Sequence, residues 1–417
     1  MWSSFDLGSL LFVLAAVIGL ANERFIRLPR PIALLVGALL VSFALMAVSH
    51  LMPHTDLADR TEQRIVTADL PAVLLDGVLA FLLFATSLTT DAERLRKRAK
   101  PIFLLATLGV AIALVLFGFG IQAVLAATGV AVPLTWCLVL GAILAPTDAV
   151  AVEQLLAKVK MPPEIHDLIA GESLFNDGAA VVFFFAALGA ATGEGAAIGR
   201  GHLVLELVIG GGGGALLGFL TGWVARQAMR LVSEDHLVVT ISLALVLATY
   251  RIAVFLDLSG PIAVVVAGLT LCHWRASVDG HATWRGNIRA FWSMADEIIN
   301  TLLFMLMGFE VLQIPLGAAG IVPLLAAIPL AIAVRFASVA IPLLLARPKD
   351  RETARAIGVL TWTGLRGGIS IALVLALPPS PYRETLTAIC YAVVIFSVIV
   401  QGLSTPAVVR FLYRGRD

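Results

Sequence analysis

The sequence predicts an all-α, polytopic membrane protein. Of its 417 residues, 59% are hydrophobic and only 14% are charged, and the mean hydropathy of +0.97 is far above that of soluble globular proteins. About thirteen apolar segments have a length suited to a bilayer. They lie near residues 7–21, 31–49, 70–88, 101–126, 134–156, 165–190, 203–226, 235–255, 259–273, 290–313, 318–345, 356–377 and 384–409.

The distribution of basic residues supports this count and predicts an orientation. Cytoplasmic loops of membrane proteins are enriched in Lys and Arg. Of the 29 Lys and Arg residues, 22 fall in seven alternate loops and four fall in the other seven. The remaining three, Arg251, Arg335 and Arg366, lie within apolar segments. The pattern places the amino terminus outside and the carboxyl terminus inside.

Residues 1–417 are expected to form a single transmembrane unit. The last apolar segment ends eight residues before Asp417, so we expect no soluble regulatory domain and no bound nucleotide. A net charge of +1 with dispersed basic residues gives no reason to expect nucleic-acid binding. Three cysteines lie inside apolar segments without the spacing of a metal or disulfide site, and we expect no cofactor. They are Cys137, Cys272 and Cys390.

Two of the apolar segments carry an aspartate near mid-span. In the fifth it follows a proline, in the string Pro146-Thr147-Asp148, and in the sixth it ends the string Gly171-Glu172-Ser173-Leu-Phe-Asn176-Asp177. A charge at the bilayer centre costs about 2.5–3.5 kcal/mol on insertion scales, so such residues usually face the protein interior and mark an ion path. The two aspartates therefore predict an ion transporter.

Two spans are predicted to contain broken helices. Pro146 has no N–H and frees backbone carbonyls just before Asp148 in span five. In span twelve, the stretch Gly364-Leu365-Arg366-Gly367-Gly368 is the most breakable one in the second half. The two spans are seven apart and so run in opposite directions through the membrane. This is the arrangement of an inverted repeat, in which the substrate site of a secondary transporter lies between the breaks.

Span six offers oxygen ligands on one helical face. Ser173 and Asp177 are four residues apart and share a face, while Glu172 and Asn176 form a second pair on a neighbouring face. A small cation needs several oxygens to replace its hydration shell, and the carbonyls freed near Pro146 are candidates for the others. Asp177 can carry a cation or a proton but not both at once, and this competition is sufficient for exchange.

Two arginines within the membrane need partners. Arg335, in span eleven, is predicted to form a buried, structural ion pair with Glu172, and loss of either member should be costly. For Arg366 two alternatives stay open, because it can pair with a carboxylate or donate hydrogen bonds to the carbonyls of a broken helix.

Together these motifs resemble the sodium/proton antiporters of the NhaP type, in the superfamily that includes the animal exchangers. The resemblance covers essentially the whole chain, and the Glu-Ser-Leu-x-Asn-Asp string is highly specific. The residues that carry the resemblance are Pro146-Thr147-Asp148, Gly171-Glu172-Ser173-Leu-Phe-Asn176-Asp177, Arg335 and Gly364-Leu365-Arg366-Gly367.

The resemblance implies a role for each of these residues and an assembly. Asp177 would alternately bind Na⁺ and H⁺, with ligands from Ser173 and the Thr147 backbone, and Asp148 would complete the site. Asn176 would support it. The resemblance also implies a homodimer in the bilayer of the inner (plasma) membrane, built from a dimerisation domain and a moving core domain that includes spans 5, 6, 11 and 12.

One departure from the family pattern concerns span three. Many relatives carry an acidic residue where this chain has Ala85, so the resemblance gives no acidic ligand at this position, and Asp76, nearer the outer end of the span, is not an evident substitute. Glu310, near the outer end of span ten, is interpreted as a vestibule or structural residue. The run Gly210–Gly214 in span seven is interpreted as a place of close helix approach or a kink, with a hinge for the moving domain as the alternative.

The expected function is electroneutral exchange of a monovalent cation, Na⁺ or Li⁺, for a proton. The electroneutral stoichiometry follows from the resemblance, since relatives with Asn before the aspartate tend to be electroneutral. A K⁺/H⁺ antiporter and a sodium-coupled solute symporter are the alternatives. A channel would need its acids around a symmetry axis, and a receptor or anchor would usually bring a cytoplasmic domain.

Overall fold

A computed structural model describes residues 4–51, 77–90, 92–156, 159, 161–193, 200–232, 234–272, 282–310, 320–346 and 350–414. Within these ranges the regular structure is entirely helical. The helices are α1 Ser4–Ala21, α2 Arg30–Leu51, α3 Leu79–Thr89, α4 Ala92–Lys97, α5 Ala99–Ala127, α6 Leu134–Ile143, α7 Ala149–Leu156, α8 Pro163–Thr192, α9 Arg200–Arg230, α10 Asp235–Phe255, α11 Gly260–Cys272, α12 Ala282–Glu310, α13 Ile321–Ala346, α14 Arg351–Trp362, α15 Gly368–Leu375 and α16 Arg383–Leu412.

Eight segments of the described chain are helices long and apolar enough to cross a bilayer on their own. Large apolar side chains such as Phe119 and Trp223 are about half exposed along the helices, where lipid can cover them. The chain is therefore a multi-pass membrane protein. Each predicted span overlaps a helix or a pair of helices, and residues 70–76 of the third lie outside the described part. The number of crossings, the orientation and the inverted repeat stay predictions.

Two spans are interrupted where the sequence predicts breaks. The first runs as α6, then an irregular stretch over residues 144–148, then α7. The second runs as α14, then residues 363–367, then α15. Pro146 cannot donate to an α-helical ladder, and Gly367 is extended, with φ −124° and ψ −157°. Both breaks leave backbone groups without a partner in their own helix, inside the protein.

Helix α8 carries the polar string of span six through the interior. Its residues Glu172, Ser173 and Asn176 are all buried. The helix begins with Pro163 in its first turn, where the missing N–H has no helical partner to lose, and it ends at Gly193 in a left-handed conformation with φ +86°. Its 30 residues therefore form one unbroken helix beside the broken helix α6–α7.

The glycine run of α9 brings this helix close to α11. A Cβ atom at Gly214 would lie 2.7 Å from the carbonyl oxygen of Ser259, the residue before α11. One turn later, a Cβ atom at Gly218 would collide with the carbonyl oxygen of Ala263. Small residues at four-residue spacing let membrane helices approach to backbone contact. The predicted close approach is confirmed at Gly214.

Candidate cation-binding site

The two broken helices meet at Asp148. Its backbone N–H donates to the carbonyl of Leu365, with 2.8 Å between nitrogen and oxygen. Its side-chain oxygen Oδ1 accepts a 3.0 Å hydrogen bond from the N–H of Ala151, in the first turn of α7. A Cβ atom at Gly367 would collide with the Asp148 carboxylate. The glycine therefore lets the second break lie against the acid of the first.

Arg366 holds the carbonyls that the first break sets free. Its guanidinium donates from Nη1 to the carbonyl oxygens of Ala145 and Pro146, at 2.7 and 2.9 Å. The side chain is 4% exposed, and its own backbone N–H donates to Ser397 Oγ at 3.0 Å. Of the two alternatives for Arg366, donation to freed carbonyls is the one observed. The positive charge of Arg366 at the carboxyl-terminal end of α6 also interacts favourably with the helix dipole.

Thr147 is tied to α8 by a network of three buried side chains. Ser173 Oγ donates to the carbonyl oxygen of Thr147, and it lies 3.3 Å from Thr147 Oγ1. Asn176 donates from Nδ2 to Thr147 Oγ1 at 2.9 Å. The amide of Asn176 thus holds the threonine side chain, while the threonine carbonyl oxygen and the serine hydroxyl lie together beside the cavity.

Asp177 lies one helical turn beyond Ser173 and lines the same cavity. Its Oδ1 is buried and has no hydrogen-bond partner among the described residues. Burial of a charge without a partner is costly, so a proton or a cation at this carboxylate would lower the cost. The cavity has a volume of about 50 Å³, which holds a cation and a few water molecules, each of which needs roughly 10–15 Å³. Asp148, Thr147, Ser173 and Asp177 all line it.

Glu172 and Arg335 are brought together beside this site. The guanidinium meets the carboxylate with two parallel hydrogen bonds, Nη1 to Oε1 and Nη2 to Oε2, the second of 2.9 Å. Both residues are buried, at 3% and 6% exposure. Arg335 Nε also donates to the carbonyl oxygen of Leu360 in α14, at 3.2 Å. The pair therefore connects α8, α13 and α14.

Known proteins are similar to this chain in sequence over most of its length. The family model described as "Sodium/hydrogen exchanger, transmembrane" matches residues 12–411. The chain belongs to this family. It is 36% identical to the Na⁺/H⁺ antiporter NhaP of Pseudomonas aeruginosa, over 99% of this chain and 97% of that protein. It is 29% identical to the Na⁺/H⁺ antiporter NhaH of Halobacillus aidingensis, over 97% and 96%.

A solved structure has the same fold as this family member. The sodium/proton antiporter MjNhaP1 of Methanocaldococcus jannaschii, at pH 8, matches with a TM-score of 0.77 over 97% of each chain. Its sequence identity is 19%, so the similarity concerns the fold alone.

Several polar residues that line the cavity were not predicted from the sequence. They are Thr86 on α3, Asp296 and Asn300 on α12, and Ser370 on α15. Asp296 and Asn300 are four residues apart in an apolar helix, the same signal that singled out Ser173 and Asp177. The spacing was therefore visible in span ten as well as in span six, but only Glu310 was considered there.

The structure tests the sequence interpretation of span three only at Ala85. Ala85 is buried, and α3 contributes Leu82, Leu83 and Thr86 to the cavity, so the described part of span three brings no acid to it. Asp76 lies outside the described residues, and so does the side chain of Glu310.

Proposed function

We propose that this chain exchanges a monovalent cation, Na⁺ in the first place, for a proton across the inner (plasma) membrane. The observation that carries the proposal is at Asp177, whose buried Oδ1 has no hydrogen-bond partner in the described chain and whose side chain lines a small cavity. Membership of the sodium/hydrogen exchanger family and the names of its antiporter relatives support the same activity.

Each residue predicted for the site has a role in this exchange. Asp177 binds Na⁺ or H⁺ in competition. Ser173 and the carbonyl of Thr147 supply neutral oxygens, and Asp148 supplies a second negative charge nearby. Asn176 and Pro146 support the geometry, the first through Thr147 and the second by interrupting the helix. Glu172 and Arg335 keep α8, α13 and α14 in register.

Alternating access requires the occupied site to be exposed to one side at a time. When the site is closed to water, an empty Asp177 adds an uncompensated charge beside that of Asp148 in a small volume, which is strongly unfavourable. With Na⁺ or H⁺ bound, one of the charges is cancelled. Only loaded states therefore cross the barrier, and the flows of the two ions are coupled.

We also propose the finer architecture. Thirteen spans with an inverted repeat would place the amino terminus outside and the carboxyl terminus inside. The moving core domain would include spans 5, 6, 11 and 12, a separate dimerisation domain would accompany it, and two copies would form a homodimer. Cross-linking in the membrane tests the dimer, and labelling of single cysteines placed in alternate loops tests the orientation.

The experiment that tests the exchange uses purified protein in proteoliposomes with a pH-sensitive dye inside. Addition of NaCl should release protons in a saturable way, and choline chloride should not. Parallel additions of LiCl and KCl distinguish a Na⁺ or Li⁺ antiporter from a K⁺/H⁺ antiporter. An inert protein, a channel-like current without proton release, or a requirement for an organic solute would each contradict the proposal. The volume of the cavity already favours a small ion over an organic solute.

A further inference from the structure

The cavity has a second set of polar side chains that the exchange at Asp177 does not use. These are Asp296 and Asn300 on α12 and Ser370 on α15. They come from elements other than α8, which carries Asp177. The two helices are in contact, since a Cβ atom at Gly368 in α15 would lie 2.9 Å from the side chain of Leu303 in α12.

Ser370 is the member that points to a ligand. It is 0% exposed and lines the cavity, and its Oγ has no hydrogen-bond partner in the part of the chain that the structure describes. A buried hydroxyl without a partner is unfavourable and rare in folded proteins. A water molecule or a cation in the cavity would satisfy it.

Asp296 brings a carboxyl group to the same space. Its Oδ1 is buried and without a hydrogen-bond partner within the described ranges, and no ion pair described there includes it. The next residue, Glu297, behaves differently: it pairs with Arg30 at the surface, where both side chains are largely exposed, and it does not line the cavity. Two adjacent acids therefore have different surroundings, one at the surface and one at the cavity.

Asn300 completes the set with an amide oxygen. Its Nδ2 donates to the backbone carbonyl of Asp296 at 3.0 Å. The amide oxygen Oδ1 of Asn300 makes no hydrogen bond described in the structure and remains available as an acceptor. A carboxylate, an amide oxygen and a hydroxyl are the ligands that hard cations prefer.

We propose that Asp296, Asn300 and Ser370 form a second cation-binding position, which holds the cation with part of its water before it reaches Asp177. The inference rests on the proposed exchange, because it assigns a further position on the path of the same cation. A negative charge in a narrow, low-dielectric cavity raises the local concentration of cations. The second position thus increases the occupancy of Asp177 at low Na⁺.

The first test compares two adjacent substitutions in the transport assay. Asp296→Asn should raise the KM for Na⁺ about tenfold, the scale expected for the loss of a charged ligand, and should raise it more than it lowers the maximal rate. Asp296→Glu should recover most of the affinity. Glu297→Gln removes the neighbouring charge and should leave the KM within twofold of wild type. Equal KM values for Asp296→Asn and Glu297→Gln would overturn the proposal.

The second test uses Ser370→Ala, which should fold normally because it removes a hydroxyl without a partner in the described chain. Its KM should rise about threefold, the scale of a neutral ligand, at unchanged Tm. A third readout does not need transport. In the Asp177→Asn background, Na⁺ should still raise the Tm through the second position, and Asp296→Asn should abolish that rise.

The outcomes separate the two proposals. A wild-type protein without cation-driven proton release would contradict the proposed function. A wild-type exchanger whose KM is unaffected by Asp296→Asn and Ser370→Ala, and which loses all Na⁺-dependent stabilisation with Asp177→Asn, would contradict the second position alone.

Discussion

The backbone N–H of Asp148 donates to the carbonyl oxygen of Leu365, and this 2.8 Å bond joins the two interrupted helices at their breaks. Beside it, Gly367 leaves room for the Asp148 carboxylate, and Arg366 binds the carbonyls of Ala145 and Pro146. Each break therefore satisfies groups that the other sets free. The position of Asp148 depends on the second break as much as on its own helix.

The contact at Gly367 gives the first prediction. Gly367→Ala should lower exchange at least tenfold, because the new Cβ atom would collide with the Asp148 carboxylate and move it. The initial rate of Na⁺-driven proton release measures the effect. Gly189→Ala is the matched control, since a Cβ atom at Gly189 in α8 meets no heavy atom within 4 Å. Equal rates for the two variants would show that the close approach is unimportant.

Asp177→Asn should abolish exchange while leaving a folded protein. The amide keeps the shape of the side chain and removes the group that binds Na⁺ and H⁺ in turn. Because Asp177 Oδ1 has no hydrogen-bond partner among the described residues, the substitution breaks no contact seen at that atom. Thermal unfolding in detergent checks the fold, and proteoliposome transport checks the activity. Substantial exchange by the well-folded variant would remove Asp177 from its proposed role.

The pair of Glu172 and Arg335 should be far more important for stability than Asp177. Removal of one member of a buried pair typically costs about 3–5 kcal/mol, because the other charge is left uncompensated. Glu172→Ala and Arg335→Ala should therefore lower the Tm much more than Asp177→Asn does. The double substitution should cost less than the sum of the two single ones.

The surface pair of Arg30 and Glu297 is the control for this experiment. Its side chains are 69% and 45% exposed, and exposed pairs contribute about 0–1 kcal/mol. Arg30→Ala should thus change the Tm very little. A Tm for Glu172→Ala close to that of Arg30→Ala would argue against a structural role for the buried pair.

Transport should be electroneutral, with one cation exchanged for one proton. Asn176 cannot titrate, and its amide is used to hold Thr147. If Asp148 keeps its hydrogen bond from Ala151 and stays ionised, the loaded site has the same charge with either cargo. A membrane potential contributes about 2.3 kcal/mol per 100 mV for each net charge moved, and here that net charge is zero.

The test clamps the potential of the proteoliposomes with a potassium gradient and valinomycin. Without a proton gradient, an imposed potential should drive no Na⁺ uptake. Uptake driven by the potential alone would mean that more than one proton moves per cation, and that Asn176 does not set the stoichiometry.

The sequence was sufficient for the features that depend on local chemistry. Pro146 cannot continue a helical ladder, and a glycine-rich stretch in an apolar span weakens it, so both breaks were predictable. Arg335 and Glu172 are charges within apolar spans, and each restricts the choice of partner for the other. In these cases a charge or a backbone group without a partner inside the membrane costs so much free energy that the sequence predicts the structural feature.

Other contacts depend on which helices are neighbours in space, which the sequence pattern does not determine. The role of Arg366 stayed open because its partners are backbone carbonyls, which every residue has. Ser370 is an ordinary helix residue until the fold places it in the cavity. Asp296 was overlooked because it lies beside Glu297, near the end of a predicted span, where charges usually face water.

The partners of the buried charges are far apart along the chain. Glu172 pairs with Arg335, 163 residues later, and the carbonyl oxygen of Ala145 accepts a hydrogen bond from Arg366, 221 residues later. During synthesis, α6, α7 and α8 leave the ribosome well before α13 and α14 exist. Until those helices are made, the acids of the young chain have neither arginine beside them. The amino-terminal half must therefore enter the bilayer with its acids protonated or still in contact with water, and it becomes a sealed structure only when the carboxyl-terminal helices arrive.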